Sequence, residues 1–475
     1  MPGPLLVIGS CALFFPTKVA LDESWQVSIR SATIESHRRA SDAPPKTSLP
    51  ERLKEISVQT AKSYGCKVAI GVQGSSLAMA VSSDGDDDAK FVWGSCAKMM
   101  TGAGILRAVE RGQLDLDKPV APVLDPVLDR LGLGSMRALF GPLARFITTR
   151  HLATMSSGVP DYDTANPFPK PPMDAFRAEV YRRPRHEFTP AELLNVSWVA
   201  MGKLDFVPGW SKDYSSTNFV LLGLLLSAVH GYSHWDQYRQ VEALDALPPS
   251  RRALYASMRF AAHGSPANWT SVHGFDRTSY NGANASDRPG RDVFTVSGVY
   301  GGWTASDMTA SAADTARFGY DLYGKRGPRI LTAPSMEIMV PTSPFYGFAT
   351  FNLSSHDGWG PSSASPYARA YGHLGATYGY QSIVAYFPGA DVSISVGTDI
   401  ETDGQTQPSA ALCLAYNAVL AYLTGTAEPQ CTYKPSGYYG GSCDCGNDYS
   451  CHPLRKRCER SAKGSLSFHD CSQAC

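Results

Sequence analysis

The sequence predicts an α/β protein of the α+β type, with an antiparallel sheet built from both ends of the chain, flanked by helices, and a mostly helical middle domain. Three observations support this prediction. Strand-like patterns occur in residues 66–86 and again in residues 379–401, whereas residues 114–303 are mostly helical with Pro-rich loops. Helical patterns border both groups of strands. A single sheet that is covered by the first and last helices buries all these apolar faces in one core.

The first helix is predicted to follow Ser48. Ser48 and Glu51 match a capping box, Pro50 lies in the first turn, and Gly65 follows the last turn. The next segment, "CKVAIGVQGSSLAMAVSSDGD", alternates apolar with small or polar residues on both sides of a Gly-Ser turn. This pattern predicts two paired strands.

A second helix is predicted from about Ser95 to Arg111 in the stretch "FVWGSCAKMMTGAGILRAVERG", with Gly112 at its end. Its first turn places Ser95 and Lys98 on one face, so that the amine is within reach of the hydroxyl. Two interpretations follow: Ser95 caps the helix and Lys98 is solvated, or Ser95 is a nucleophile with a lysine beside it. Amides at a helix start have no intrahelical acceptor, and the helix dipole favours negative charge there, which suits a nucleophile.

The C-terminal third returns to alternating helix and strand patterns. "MTASAADTARFGYDLYG" predicts a helix that is capped by Ser311 or Ser306. "GYQSIVAYFPGADVSISVGTDIE" predicts a hairpin around "PGAD", and "PSAALCLAYNAVLAYLTG" predicts a last helix that ends at Gly425.

Composition divides the chain into four segments. Residues 1–20 contain a short apolar core, which predicts a secretory signal peptide. Residues 21–47 are polar and are predicted to be a linker, residues 48–425 the main domain, and residues 429–475 a Cys-rich module. The Ser- and Arg-rich stretch "SIRSATIESHRRAS" leaves a mitochondrial transit peptide as the alternative to secretion.

Cysteine placement favours secretion. The Cys-rich module at residues 429–475, called the tail below, lacks the paired C-x-x-C spacing of a zinc site. Disulfides are therefore the better interpretation of its cysteines, and disulfides need an oxidising compartment. We expect three disulfides inside the tail, with the remaining cysteine bonded to Cys413, Cys66 or another chain. Four glycosylation sequons agree with secretion, at Asn195, Asn268, Asn284 and Asn352. Seven of the eleven cysteines lie in the tail, at Cys431, Cys443, Cys445, Cys451, Cys458, Cys471 and Cys475.

Charge and hydropathy restrict the classes of partner. The formal net charge is zero, which gives no electrostatic reason to expect nucleic acid as a partner. No apolar run approaches the roughly 18 residues of a membrane span. Hydrophobic residues make up 43% of the chain, enough for a sizeable core.

Two further segments accompany the Ser-Lys pair. Tyr214 lies in "DYSSTNFVLLGLLL", in a loop just before a strongly apolar helix. His373, Leu374 and Gly375 lead into a predicted strand in "YGHLGATYGYQSIVAYFP". The chain therefore presents "SCAK", "YSS" and "HLG" in that order.

With these motifs the chain resembles the β-lactamase-related serine hydrolases: class C β-lactamases, D,D-peptidases, related esterases and the animal LACTB-type proteases. That family carries S-x-x-K, Y-x-N and K/H-x-G in this order. Non-catalytic phrases match too, among them "ERGQLDLDKPV", "ITTRHLATMSSGVPDY" and "GWTASDMTASAADTARF". The resemblance covers roughly residues 48–425 and leaves out the tail.

The resemblance implies an acyl-enzyme on Ser95, with Lys98 and Tyr214 handling its proton. Free tyrosine and lysine titrate near ~10 and ~10.4, too high for a base at neutral pH. A cationic lysine beside the phenol would lower the tyrosine's pKa by about three units. Because His373 would be mostly neutral, we expect Lys98 to supply that field. The amides of Ser95 and Ala376 are the expected oxyanion donors.

Two positions depart from the family pattern. Ser216 stands where the family usually has Asn, and Leu374, just before the substrate-binding Gly375, stands where lactamases usually have Thr. Without that hydroxyl a substrate carboxylate loses a donor, which argues against tuned β-lactam hydrolysis. Tyr378 and Trp303 are candidates to line the acyl pocket.

We therefore expect a serine hydrolase that acts on a small-molecule or peptide ester or amide, with no cofactor and no metal. The alternative is a secreted binding or scaffold protein that has kept the fold and lost turnover. Ser216 is the best argument for that alternative. The presence of Ser95, Lys98, Tyr214 and His373 together argues against it.

Overall fold

The structure is a computed structural model, and it describes residues 48–163, 175–278, 290–342, 345–355, 369–402 and 406–431, together with the backbone of two strands at 449–452 and 457–460. Twelve helices occur in these residues: α1 Leu49–Tyr64, α2 Ala97–Glu110, α3 Ala121–Arg130, α4 Met136–Phe140, α5 Thr149–Ala153, α6 Ala175–Arg182, α7 Pro190–Leu194, α8 Thr217–Val229, α9 Pro249–Arg252, α10 Ala312–Tyr323, α11 Ala333–Met339 and α12 Thr406–Thr424. Short 3₁₀ turns connect several of them.

Fourteen strands occur in the same parts of the chain: β1 Val68–Gly74, β2 Ala78–Ser82, β3 Lys90–Val92, β4 Arg259–Phe260, β5 Phe275–Asp276, β6 Arg291–Asp292, β7 Met308–Ser311, β8 Phe351–Asn352, β9 Tyr371–Thr377, β10 Tyr380–Phe387, β11 Val392–Thr398, β12 Ile400–Glu401, β13 Tyr449–His452 and β14 Arg457–Arg460. No helix in the described residues is both long enough and apolar enough to cross a bilayer.

Six strands from both ends of the chain form the main sheet. Their order is β2-β1-β11-β10-β9-β8, and every neighbouring pair in it is antiparallel. Strand β1, from the N-terminal part, pairs with β11 along its whole length, from Val68 opposite Thr398 to Gly74 opposite Val392. The predicted sheet built from both chain ends, within an α+β fold, is therefore confirmed.

Helices cover both faces of this sheet. On one face, Ser395 donates to the carbonyl oxygen of Ala312, at the start of α10. On the other face, Phe387 of β10 stacks on Tyr416 of α12 with ring centroids 3.9 Å apart. Helices α1 and α12 pack against each other and against the sheet, so the first and last helices flank it as predicted, and they share one face. Alternation of side chains along a strand explains how one sheet supports two apolar layers.

The predicted local signals are present in the structure. Ser48 and Glu51 form the capping box of α1, and Gly65 ends that helix in the left-handed conformation. Ser311 caps α10 by accepting from the backbone amide of Asp314, which decides between the two proposed caps. The "PGAD" turn joins β10 and β11 as predicted.

The middle of the chain is mostly helical and packs around α8. Every residue of α8 from Thr217 to Ser227 is buried, which explains why its sequence is apolar on all sides rather than on one stripe. Helices α2, α3 and α5 and a 3₁₀ turn at Trp303–Ala305 all contact it. The helix therefore anchors the loop before it, which carries Tyr214, to the rest of the core.

The chain after α12 stays on the main domain as far as Cys431. Cys431 forms a disulfide with Cys413 of α12. The carboxylate of Glu428 accepts two hydrogen bonds from Arg52 of α1, both 2.9 Å long. The bond to Cys413 is one of the three alternatives expected for the remaining tail cysteine. The cysteines from Cys443 onward, the signal peptide and the linker lie outside the residues whose side chains the structure describes.

Candidate active site

The turn before α2 holds Ser95 against strand β9. Gly94 has φ +50°, a conformation that favours glycine, and a Cβ at this position would lie 2.9 Å from the backbone nitrogen of Ala376. The glycine therefore allows the chain to make a sharp turn in close contact with β9. Ser95 is buried at the end of this turn, two residues before the first residue of α2. Gly94, which precedes Ser95 in the chain, thus lies against Ala376, the other expected oxyanion donor.

Lys98 points from the first turn of α2 back to Ser95. Its Nζ donates to Ser95 Oγ at 2.8 Å, to the carbonyl oxygen of Ala305 at 2.9 Å and to Ser216 Oγ at 3.2 Å. These three acceptors satisfy the three donors of an ammonium group. They come from three separate parts of the chain, so the lysine is held in one position.

Burial changes the acidity of this lysine. Lys98 is fully buried, and desolvation lowers its pKa from 10.5 to about 7, although the nearby carboxylates Asp161 and Asp163 oppose the shift. The neutral form of Lys98 is therefore accessible near neutral pH. This differs from the expectation that Lys98 mainly supplies a positive field for Tyr214. A neutral amine 2.8 Å from a hydroxyl can itself accept the proton.

The start of α8 brings a serine and a carboxylate to Lys98. Ser216 is the N-cap residue of α8, and its hydroxyl is buried beside Lys98. The backbone amide of Ser216 donates to Asp161 Oδ1 at 3.0 Å. Ser216 therefore provides an acceptor for the lysine from the position where the family usually has an amide.

Tyr214 contributes its ring to the wall of the site. The Lys98 Nζ lies 5.1 Å from the centroid of this ring, within cation–π range. On its other sides the ring stacks on Phe351 at 5.7 Å and meets Tyr346 edge-on at 6.1 Å. Aromatic packing therefore fixes Tyr214 next to the Ser-Lys pair.

His373 is fully buried on β9, and its ring centroid is 6.4 Å from that of Tyr214. Its Nδ1 is hydrogen-bonded to the carbonyl oxygen of Leu374, which can only accept, so Nδ1 carries the hydrogen. Its Nε2 then accepts from the hydroxyl of Tyr346 at 3.0 Å. Burial and the positive charge of Lys98 lower the pKa of His373 well below its usual value. The imidazole is therefore neutral at pH 7.

The residues after His373 form the floor of the site. Leu374 is buried on β9, where it pairs with Ile383 of β10. Its side chain carries no polar group. A side chain at Gly375 would lie 2.1 Å from the carbonyl oxygen of Trp93. Glycine at this position therefore lets β9 pass directly beneath the turn that carries Ser95.

Three other residues near the motifs have packing contacts. Cys96 is buried beneath Gly375, and desolvation raises the pKa of its thiol to about 12, which makes it a poor nucleophile. Trp303, proposed above as a pocket residue, is buried against Trp235 with ring centroids 5.2 Å apart. Tyr378, the other such candidate, is buried and donates through its hydroxyl to Asp163.

Several groups at the site were not predicted from the sequence. The carbonyl of Ala305 has no signal in the sequence, because every residue carries one. Asp161 lies in the phrase "SSGVPDY" that matches the family, and this match was the available signal. Tyr346, which holds His373, lies in a loop without a motif. The structure brings all three to the predicted motifs.

Comparison with known proteins identifies the family and the fold. The family described as "Beta-lactamase" matches residues 65–412. A search of curated proteins returned no match. Solved structures with a similar fold include a D-stereospecific amidohydrolase from Streptomyces sp. (21% identity, 79% of this chain and 99% of that chain, TM-score 0.58).

Two further structures cover a similar part of the chain. They are the D-amino acid amidase from Ochrobactrum anthropi SV3 in complex with L-phenylalanine amide (18% identity, 78% and 98% of the two chains, TM-score 0.57) and a penicillin binding protein from Bacillus halodurans (17% identity, 78% and 99%, TM-score 0.52). These likenesses show the shared fold. Because the family match spans most of the sequence and the three motifs meet at one site, the chain belongs to the beta-lactamase family.

Proposed function

We propose that this protein is a serine hydrolase that cleaves an amide or ester bond through an acyl-enzyme on Ser95. One observation carries the proposal: the Ser95 hydroxyl lies 2.8 Å from a buried lysine whose pKa is lowered to about 7. A catalytic base works best when its pKa is near the working pH. A lysine that served only the fold would have little reason to be buried beside a serine in this state.

In the acylation step the neutral Lys98 amine takes the proton from Ser95 Oγ. The oxygen attacks the substrate carbonyl carbon, and the C=O electron pair moves to the oxygen. We assign the stabilisation of that oxyanion to the amides of Ser95 and Ala376; one such donor is typically worth ~10²–10³ in rate. When the intermediate collapses, the bond to the leaving group breaks and the Lys98 ammonium returns its proton to that group.

Deacylation repeats these steps with water. The amine takes a proton from the water, the hydroxide attacks the acyl carbon, and Ser95 leaves as the alkoxide and regains the proton. Tyr214 and Ser216 line the lysine in both half-reactions. Tyr214→Phe separates the two candidate proton carriers: a fall in kcat of ~10²–10⁴ indicates that the phenol moves a proton. A smaller fall with an unchanged pH profile leaves Lys98 as the base.

The uncharged side chains of Leu374 and His373 on β9 argue for a substrate without a carboxylate next to the scissile bond. Leu374 provides no hydroxyl, and the neutral His373 provides no cation to bind such a group. Two of the similar solved structures are named as amidases or amidohydrolases, which favours an amide over a β-lactam. We therefore propose amino-acid amides and simple esters as the first substrates to test.

Labelling with a fluorophosphonate tests the proposal. We expect the purified protein to be labelled at Ser95 and to hydrolyse p-nitrophenyl esters, and Ser95→Ala to lose both. Ser227→Ala, a buried serine of α8 that is bonded to the His234 carbonyl, is the matched control and should keep both. Full ester turnover by Ser95→Ala would refute the nucleophile assignment. An unlabelled, inactive but folded wild-type protein would favour the alternative of a non-catalytic binding protein.

We also propose that the protein is secreted. The disulfide between Cys413 and Cys431 supports an oxidising compartment. Secretion predicts cleavage of the N-terminal segment and glycan at exposed sequons such as Asn195. Mass spectrometry of the natural protein, run without reductant, tests both; free thiols at these two cysteines would favour the mitochondrial alternative.

A further inference from the structure

A buried charge cluster lies behind the hairpin that joins β9 and β10. The guanidinium of Arg177, on α6, binds both carboxylate oxygens of Glu401 in a bidentate pair, at 2.7 and 2.9 Å. It also binds the carboxylate of Asp276, which accepts further hydrogen bonds from Tyr181 and Thr278. All three charged side chains are nearly inaccessible to solvent. The cluster therefore joins α6 to two short strands, β5 and β12.

Replacing a buried ion pair of this kind with apolar residues is often neutral or even stabilising. Stability alone is therefore a weak explanation for this cluster. Its contacts show a more specific consequence, since they reach the turn that ends β9.

The turn consists of Tyr378 and Gly379, between the paired residues Thr377 and Tyr380. The amide of Gly379 donates to Glu401 Oε2 at 3.1 Å. The guanidinium of Arg177 lies 4.5 Å from the centroid of the Tyr378 ring. The cluster thus contacts both the backbone and the side chain of the turn.

Along the chain, the turn lies next to a residue that takes part in the proposed reaction. Ala376, whose amide is one of the expected oxyanion donors, lies on β9 two residues before Tyr378 of the turn. A hairpin turn sets the register and direction of the strand that enters it. A shift in the turn moves the amide of Ala376 relative to Ser95.

We propose that Arg177 and Glu401 are positioning residues, which hold the β9–β10 turn so that the Ala376 amide points at the reacting carbonyl oxygen. This inference rests on the proposed function, since it assumes an oxyanion at that amide. It gives the cluster a role in catalysis in addition to its structural role of joining α6 to β5 and β12.

Glu401→Gln is the first test. Its amide nitrogen cannot accept, so Arg177 loses one acceptor whichever way the amide is turned, and Gly379 loses its acceptor too if the nitrogen takes the place of Oε2. Asp321→Asn is the matched control, because Asp321 also accepts a bidentate pair from an arginine, Arg251, and a bond from a tyrosine, Tyr255, but it lies on α10. Both substitutions remove one buried carboxylate from an arginine, and one of them adjoins the turn.

Three measurements are made on the folded variants: the kinetics of ester hydrolysis, the affinity for a boronic acid, and hydrogen exchange. For ester hydrolysis we expect kcat to fall about tenfold or more in Glu401→Gln, a part of the ~10²–10³ that one oxyanion donor supplies, with KM changed much less. The affinity for a boronic acid that forms a tetrahedral adduct on Ser95 should fall by the same factor. Hydrogen exchange of the amides at 376–379 should become faster. Asp321→Asn should leave all of these values unchanged.

The outcomes separate the inference from the proposed function. Unchanged kcat and unchanged exchange in Glu401→Gln, or an equal fall of kcat in Asp321→Asn, would overturn the positioning role. If Glu401→Gln does not fold, Arg177→Lys keeps the charge, loses the bidentate pair, and is measured in the same way. A wild-type protein without hydrolysis or boronate binding would refute the proposed function, and the exchange rates would still show whether Glu401 holds the turn.

Discussion

The Nζ atom of Lys98 lies 2.8 Å from Ser95 Oγ, and this amine is one of the most completely buried groups of the protein. Desolvation brings its pKa to about 7, so the amine changes its protonation state in the physiological range. A pair with this distance and this pKa determines how the proposed hydrolysis should respond to pH.

The rate of ester hydrolysis should rise with pH through about 7, because the deprotonated amine is the active form and its fraction grows above the pKa of Lys98. We expect kcat/KM for an uncharged p-nitrophenyl ester to rise about tenfold per pH unit below that value and to level off above it. Lys98→Arg keeps the charge but cannot deprotonate, so it should lose activity by ~10²–10⁴. A rise centred above pH 9 would contradict the assignment.

The same lysine should make stability depend on pH. The pKa of Lys98 is about 7 in the folded protein and 10.5 when exposed, so between these values the unfolded chain binds more protons. The free energy of unfolding should therefore rise with pH in this window, by at most about 1.4 kcal/mol per unit. Lys98→Met lacks this contribution. The free energy of unfolding of Lys98→Met minus that of the wild type, measured by urea denaturation, should be largest at pH 7 and shrink towards pH 10. A difference that stays constant with pH would argue against the lowered pKa of Lys98.

His373 should stay neutral in mildly acidic solution. Its burial and the nearby Lys98 lower its pKa, so its imidazole signals in an NMR titration should not move between pH 8 and 6. His263 is the internal comparison: partial burial opposes its charge, but hydrogen bonds with Glu187 and Asp236 raise its pKa above the usual value. Its signals should titrate above pH 6.5. Titration of both residues together would mean that water reaches His373.

Nitrocefin should be a poor substrate. Its carboxylate finds an apolar Leu374 and a neutral His373 on β9. We expect kcat/KM for nitrocefin to be about a hundredfold or more below that for a simple ester, which is what roughly two lost polar contacts would cause. Leu374→Thr restores a hydroxyl and should narrow the gap, with Leu374→Val as the apolar control. Equal turnover of nitrocefin and ester in the wild type would refute this account of specificity.

The place of truncation should decide whether the tail can be removed. Ending the chain after Gly425 removes the Glu428 partner of Arg52 and the Cys431 partner of Cys413. A disulfide that closes a loop of this length is worth about 3 kcal/mol, so that truncation should lower the melting temperature by several degrees. Ending the chain after Cys431 should leave both stability and ester hydrolysis close to the full-length values. A loss of activity in the longer form would show that the tail takes part in function.

Local features of the fold could be predicted because neighbouring residues determine them. The capping box of α1 needs Ser48 and Glu51, and the β10–β11 hairpin needs alternating apolar residues around "PGAD". The spacing of Ser95 and Lys98 likewise places both on one side of a turn, whatever the rest of the chain does. The ordered motifs indicated the family for the same reason, since they are short and contiguous.

The sequence by itself therefore determined the fold class, the family and the three motifs, but not the other residues that the fold brings to them. Only the tertiary structure decided their chemical state. The pKa of Lys98 depends on complete burial, and its third bond is to Ala305, about 200 residues away. The neutral form of His373 depends on its burial and on the nearby Lys98, and the end of the main domain depends on a disulfide that crosses from α12 to Cys431. Desolvation and contacts between distant segments arise when the chain packs, and no local pattern encodes them.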